Sequence, residues 1–183
     1  VLVRDAFMRA VADDADWPLV FAGETQRTVK ARALWTRLMR AAYDTAEPGV
    51  LFVDTINRDN TLAGIESLAA TNPCGEIPLP PYGACDLGSL NLAAFVHAPF
   101  ESDAAFDHAA LDDATRTAVR LLDDVIDASR YPLPAQAAEA RAKRRVGLGV
   151  TGLADTLAML NLHYDSDAAR DFAAGLMRDV RDV

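Results

Sequence analysis

Three side chains in one short segment have the types and the spacing for chemistry on a small polar ligand. Asn72, Cys74 and Glu76 stand at alternate positions of Thr71-Asn72-Pro73-Cys74-Gly75-Glu76-Ile77-Pro78. In extended backbone, alternate residues point to one side, about 6.6 Å apart, twice the rise per residue. On that expectation an amide, a thiol and a carboxylate share a face about as long as a sugar ring. Pro73 stiffens the backbone between the first two, and Gly75 leaves room beside the thiol for a ligand or another backbone. A nucleophilic cysteine wants a cation or a helix N-terminus to lower its pKa. No Lys or Arg occurs between Arg58 and Arg116, so local sequence gives no support for a thiolate. A neutral thiol suits hydrogen-atom transfer, in which the S–H bond breaks homolytically. Glu76 is then an acid–base partner for a hydroxyl of the same ligand, and Asn72 orients that ligand by hydrogen bonds. Cys85 is a second thiol on the same stretch.

The elements that must hold these residues follow from the pattern. Thr71–Tyr82 carries Pro73, Pro78, Pro80 and Pro81, which exclude a helix and make a poor ladder strand, so an extended loop is expected. Before it, Val1–Ala12 reads as helix already in mid-course, and Pro18–Phe21 is a short apolar run. Thr28 can cap a helix to about Glu47, with Ala31, Leu34, Trp35, Leu38, Met39 and Ala42 on one buried face. Val50–Val53 reads as a strand and Asp54–Asn60 as turn. After the loop, Leu87–Val96 fits strand or short helix. Asp112 or Asp113 caps a helix to about Arg130, with Val119, Leu122, Val125 and Ile126 inward. Pro132 and Pro134 separate it from a helix ending near Arg145. Val146–Val150 reads as a strand, Leu153–Leu160 as helix, and Asp165 or Ser166 starts the last helix. The fold class is mixed α/β, mostly helical, without a linker long enough to divide the chain.

Composition narrows the functions. A chain of 183 residues, 51% hydrophobic and 25% charged, suits one domain with a real core. A net charge of −9 argues against nucleic-acid binding, which needs a basic face. No apolar run approaches the roughly 18 residues of a membrane span. Two cysteines cannot build a disulfide scaffold or a four-thiolate zinc site. His97, His108 and His163 lack ligand spacing, so no metal site is expected and all three read as surface residues. The first residue is Val1, the last helical pattern stops while still running, and no signal peptide is visible. The chain therefore reads as a piece of a longer, cytoplasmic protein.

The segment Asn72–Leu92, with Pro80-Pro81-Tyr82-Gly83-Ala84-Cys85 inside it, resembles the active-site loop of ribonucleotide reductase large subunits. The flanks Arg27–Asn60 and Arg144–Leu160 are similar too, so the resemblance spans nearly the whole chain. The loop is most like the class II, adenosylcobalamin-dependent enzymes; a class I type large subunit is the nearest alternative. The resemblance implies a ten-stranded α/β barrel with this loop through its centre. Residues 1–183 would be a single fragment of that catalytic domain, with its active-site loop at about 71–86. It further implies that Cys74 becomes a thiyl radical and takes the 3′ hydrogen of a ribonucleotide. Glu76 accepts the 3′-hydroxyl proton, Asn72 hydrogen-bonds the ribose hydroxyls, and the 2′-hydroxyl leaves as water. Cys85 matches one member of the cysteine pair that supplies two electrons, and its partner lies outside this chain. The radical comes from adenosylcobalamin, and a thioredoxin-type or C-terminal dithiol recycles the disulfide. An oligomer is compatible with the family. Two departures stand out: Ala63-Gly64-Ile65 replaces bulkier aromatic residues, and Asp86 replaces a residue more often uncharged.

Blander readings compete. Cys74 alone would more often be a buried structural thiol. Cys74 and Cys85 could form a plain disulfide, and Glu76 could be a solvated loop acid. The cluster Arg141, Lys143, Arg144 and Arg145 reads as a water-exposed complement to a helix C-terminus, with phosphate binding as the sharper alternative. A rival of another class is a dinucleotide-binding domain, because Gly147-Leu148-Gly149-Val150-Thr151-Gly152 spells G-x-G-x-x-G. Its context is poor, since Arg141–Arg145 is no buried strand; a strand-to-helix turn with tight packing explains the glycines. A non-catalytic helical interaction module would explain the helices but not the thiol–carboxylate loop.

Overall fold

The computed structural model describes residues 1–183, which divide into two compact units, Val1–Gly83 and Ala84–Val183. In the first unit, β1 (Leu2–Val3) runs parallel to β4 (Leu51–Phe52). Helix α1 (Asp5–Ala12) leads to a hairpin of β2 (Asp16–Phe21) and β3 (Glu24–Lys30), then to α2 (Ala31–Thr45). Val3, Phe7 and Ala31 are its buried core, and the Phe7 ring meets Trp17 and Trp35 edge-on at 5.1 and 6.4 Å. Helix α2 starts at Lys30 without a side-chain cap, so Thr28 is not its cap. Thr28 instead pairs with Pro18 in the hairpin, whose polar second strand shows no apolar run to announce it. Ala46, in the left-handed region, ends α2. Asp54–Asn60 is not plain turn: α3 (Val53–Arg58) occupies most of it, with Asp54 in its first turn and Arg58 in its last, each favourable to the helix dipole.

The hairpin of β5 (Ala70–Thr71) and β6 (Pro78–Leu79) closes the first unit. The second opens with β7 (Asp86–Asn91), followed by a 3-10 turn at Leu92–Phe95 and the short antiparallel pair β8 (Val96–His97) and β9 (Ala105–Phe106). Helix α4 (His108–Ala128) begins earlier than Asp112, because the Asp107 carboxylate accepts the Ala110 N–H at 2.9 Å. Leu122 and Ile126 are buried on it, but Val119 and Val125 are 43% and 37% exposed, so only half of the expected inward stripe is covered. Helix α5 (Pro134–Lys143) leads to β10 (Val146–Thr151), which runs parallel to β7 with Asp86 opposite Val146 and Asn91 opposite Thr151. Helices α6 (Leu153–Met159) and α7 (Asp167–Asp182) follow, the latter capped by Ser166. Leu92, Leu111 and Leu176 form this unit's core. The chain is thus mixed helix and strand. Its ladders are five separate two-stranded sheets, and none closes into a barrel. No helix is long and apolar enough to cross a membrane.

Candidate active site

The segment from Asn72 to Ile77 is the tip of the β5–β6 hairpin, and it is a turn rather than extended backbone. The Gly75 N–H donates to the Asn72 carbonyl at 3.1 Å, closing a four-residue turn with Pro73 and Cys74 at its centre. Proline is pre-set for the second position of such a turn, and Gly75 supplies the φ of +85° that follows it. The expected line of three side chains on one face is therefore corrected: amide, thiol and carboxylate are gathered around a bend. The Asn72 N–H donates to the Ile77 carbonyl at 3.3 Å, and the Ile77 N–H donates to Asn72 Oδ1 at 3.1 Å. Pro78, paired with Thr71, has no N–H to extend the ladder, so the Asn72 side chain closes the tip instead.

This arrangement changes what each residue can offer. Asn72 is half-buried and spends its oxygen on the loop, leaving its NH2 for a ligand. Cys74 and Glu76 are exposed, so the buried-thiol reading of Cys74 does not hold. Beside Cys74 lies an open depression of about 380 Å³, lined by Val50, Leu51, Thr71 and Pro73 among others. No Lys or Arg side chain lines it.

Cys85 belongs to the second unit, just before β7. It is a free thiol, half-buried, and its Sγ lies 3.6 Å from the Asp86 carbonyl oxygen. It lines a small cavity of about 50 Å³ with Asp86, Tyr131 and Arg145. Burial pushes its pKa up first, the Asp86 charge adds to that, and Arg145 opposes both. One oxygen of the Asp86 carboxylate is buried without a hydrogen bond.

Of the basic cluster, Arg141 is exposed in the last turn of α5, as expected, but the other three are engaged in ion pairs. Arg144 caps α5 in the left-handed region and binds Asp123 and Asp127 on α4 at 2.7 and 3.0 Å. Lys143 and Arg145 both reach Glu139, and their side chains are only 14% and 16% exposed. Sequence reading missed the Arg144 pairs because Asp123 and Asp127 lie on the preceding helix, whereas Glu139, four residues before Lys143 on α5, was a local signal. His97 and His108 are exposed and sit 3.1 and 2.9 Å from Asp107 and Asp179; no group of residues could hold a metal ion.

The glycine fingerprint is not at a phosphate-binding turn. Gly147 and Gly149 lie inside β10, facing β7. A Cβ on Gly147 would come within 2.5 Å of Leu87 Cδ2, and one on Gly149 would touch Ser89 Oγ at 3.5 Å. Gly152 alone occupies the strand-to-helix turn, at φ +71°. Backbone conformation and the crowding by Asn91 account for Gly152, whereas a Cβ at Gly147 would displace only the end of the Leu87 side chain and one at Gly149 would make an ordinary contact.

Comparison with known proteins places the chain in a family. The family model "Ribonucleotide reductase, barrel domain" matches residues 1–182. A vitamin B12-dependent ribonucleoside-diphosphate reductase of Mycobacterium tuberculosis is 45% identical over 181 residues, 98% of this chain and 25% of that protein. One from Thermoplasma acidophilum is 40% identical over 156 residues, 85% of this chain and 20% of that protein. The ribonucleoside-diphosphate reductase large subunit of Variola virus is 29% identical over 193 residues, 92% of this chain and 25% of that protein. The chain spans about a quarter of the length of the curated relatives it matches.

Proposed function

The chain belongs to the ribonucleotide reductase barrel-domain family, and from that premise we propose that the enzyme it forms part of reduces ribonucleotides to deoxyribonucleotides with adenosylcobalamin as its radical source. The relatives' names support the diphosphate as substrate and vitamin B12 as cofactor. Residues 1–183 are one piece of the catalytic barrel domain, with 71–86 as its active-site loop. The enzyme is cytoplasmic, where free thiols such as Cys74 and Cys85 persist, and draws its electrons from a thioredoxin-type or C-terminal dithiol.

One observation carries this reading: an exposed thiol at the tip of a proline-set turn, with an exposed carboxylate two residues on and a spare amide NH2 at the turn's base. Cys74, as a thiyl radical, takes the hydrogen from C3′ of the ribose; an S–H bond forms and the radical passes to the sugar. Glu76 receives the proton of the 3′-hydroxyl, and the Asn72 NH2 donates to a ribose hydroxyl. The 2′-hydroxyl leaves as water. Cys85 and a partner cysteine outside this chain give up two electrons and two protons and become a disulfide. Cys74 then returns its hydrogen to C3′. The residues around Cys74 do not themselves make a corrinoid site. The depression there is open and about 380 Å³. These residues supply the sugar's side of the site.

Two substitutions in the full-length enzyme test the assignment. Cys74→Ser should abolish both deoxyribonucleotide formation and loss of label from the 3′ position, with the melting profile kept. Cys85→Ser should retain 3′ chemistry yet block normal turnover. Wild-type turnover by Cys74→Ser would refute the reading.

A further inference from the structure

We propose that Asn57 is the positioning residue for the Cys74 thiol, fixing the root of the hairpin to helix α3; this rests on Cys74 being the hydrogen-abstracting group. Asn57 lies in the last turn of α3, remote in sequence from the site. Its Nδ2 donates to the Leu68 carbonyl at 2.9 Å, and its Oδ1 accepts the Leu68 N–H at 2.8 Å. One side chain thus grips both polar groups of a single residue, as a neighbouring strand would. The same amide also donates to the Val53 carbonyl at 2.9 Å and accepts from the Ser67 hydroxyl at 3.4 Å. All of its hydrogen-bonding valences are in use.

The grip falls where it controls the thiol. The next residue, Ala69, donates to the Leu79 carbonyl at 2.9 Å and starts the pairing that runs through Ala70–Leu79 and Thr71–Pro78 to the turn. The two-residue ladder is too short to set its own direction. Its anchor, α3, is itself tied down. The Asp5 N–H donates to Asp54 Oδ2 at 2.9 Å, and Arg58 pairs with Asp5 at 2.6 Å, linking α3 to the start of α1, whose Phe7 is core. The chain of contacts runs from Phe7 through α3 and Asn57 to Leu68 and the hairpin. Hydrogen abstraction depends steeply on the distance between sulfur and hydrogen, and a misplacement of about 1 Å costs on the order of a hundredfold in rate. Aspartate keeps the two acceptor contacts, to Leu68 N–H and Ser67, and loses both donations. Alanine loses all four.

The test uses the full-length enzyme and 3′-deuterated substrate. Asn57→Ala should lower kcat about a hundredfold, leave KM within about twofold, and raise the 3′-deuterium isotope effect on kcat as abstraction becomes rate-limiting. Asn57→Asp, which loses two of the four hydrogen bonds, should keep kcat within about thirtyfold of wild type and above that of Asn57→Ala. Should Asn57→Ala fail to fold, Asn57→Ser, whose side chain is too short to reach Leu68, takes its place under the same criteria. A kcat within about threefold of wild type in Asn57→Ala, or in Asn57→Ser where it takes that place, or a loss of kcat with an unchanged isotope effect, overturns the proposal. Turnover by Cys74→Ser would instead overturn the assignment of the thiol, so the two failures are distinguishable.

Discussion

Gly152 distinguishes a packing glycine from a phosphate-binding one. It has φ +71° at the junction of β10 and α6. Gly152→Ala forces an L residue into the left-handed region, at about 1 kcal/mol. Its new Cβ would also stand 2.7 Å from Asn91 Oδ1, so Asn91 must move. That oxygen accepts the Ala93 N–H at 3.3 Å and caps the 3-10 turn after β7; losing it adds about 0.5–1.5 kcal/mol. The sum is about 2 kcal/mol against the second unit, or a midpoint about 8–16 °C lower for a unit of this size. Thermal unfolding followed by circular dichroism and tyrosine emission reads it. Both tryptophans, Trp17 and Trp35, lie in the first unit, so tryptophan emission serves as the control, while the tyrosine signal combines Tyr43 and Tyr82 of the first unit with Tyr131 and Tyr164 of the second. Gly149→Ala, which makes only an ordinary contact, should cost less. Adding Asn91→Ala to Gly152→Ala should cost less than the two changes summed, because it removes the obstructing oxygen. A Gly152→Ala variant within about 0.5 kcal/mol of the parent, or strict additivity with Asn91→Ala, would refute the packing argument. A pyrophosphate-binding glycine would show the opposite pattern: stability kept and nucleotide binding lost.

Two further outcomes follow from charge and exposure. At mildly alkaline pH, iodoacetamide should alkylate exposed Cys74 faster than Cys85, whose pKa is raised by burial and by Asp86; Asp86→Asn should speed Cys85 and Arg145→Met should slow it, read by peptide mass spectrometry, and the reverse order would contradict the site's electrostatics. Asp123 and Asp127 are held below the usual carboxylate range, chiefly by hydrogen bonds from Arg144. Their stabilising contribution is whole above the unfolded value of about 3.9 and disappears as pH falls through the lower folded values. Acid unfolding of the second unit should therefore lose part of its steepness in an Asp123→Asn, Asp127→Asn double variant, and an unchanged acid limb would count against the Arg144 network.

The candidate residues are more legible in the sequence than the geometry that holds them. Residue types alone mark Asn72, Cys74 and Glu76, and the prolines around them rule out a helix. What alternation could not reveal is that Pro73 and Gly75 fold the same residues into a turn and turn Asn72 inward on Ile77. Strand β3 escaped notice because Glu24–Lys30 is polar and exposed, so no face of it is patterned. The start of α4 was hidden among many aspartates, of which only Asp107 has its carboxylate on a free N–H at that helix start. Arg144 and Asn57 act through partners distant in the chain, and no local spacing announces such pairs.

Strand β7 has a ladder partner on one side only, β10. No strand lies along its other rim, and Cys85 immediately precedes that edge. Side chains alternate along a strand, so a neighbour docking there one residue out of step would turn every one of its groups to the opposite face. A strand that pairs there would therefore present its side chains beside Cys85 in a register fixed by backbone docking.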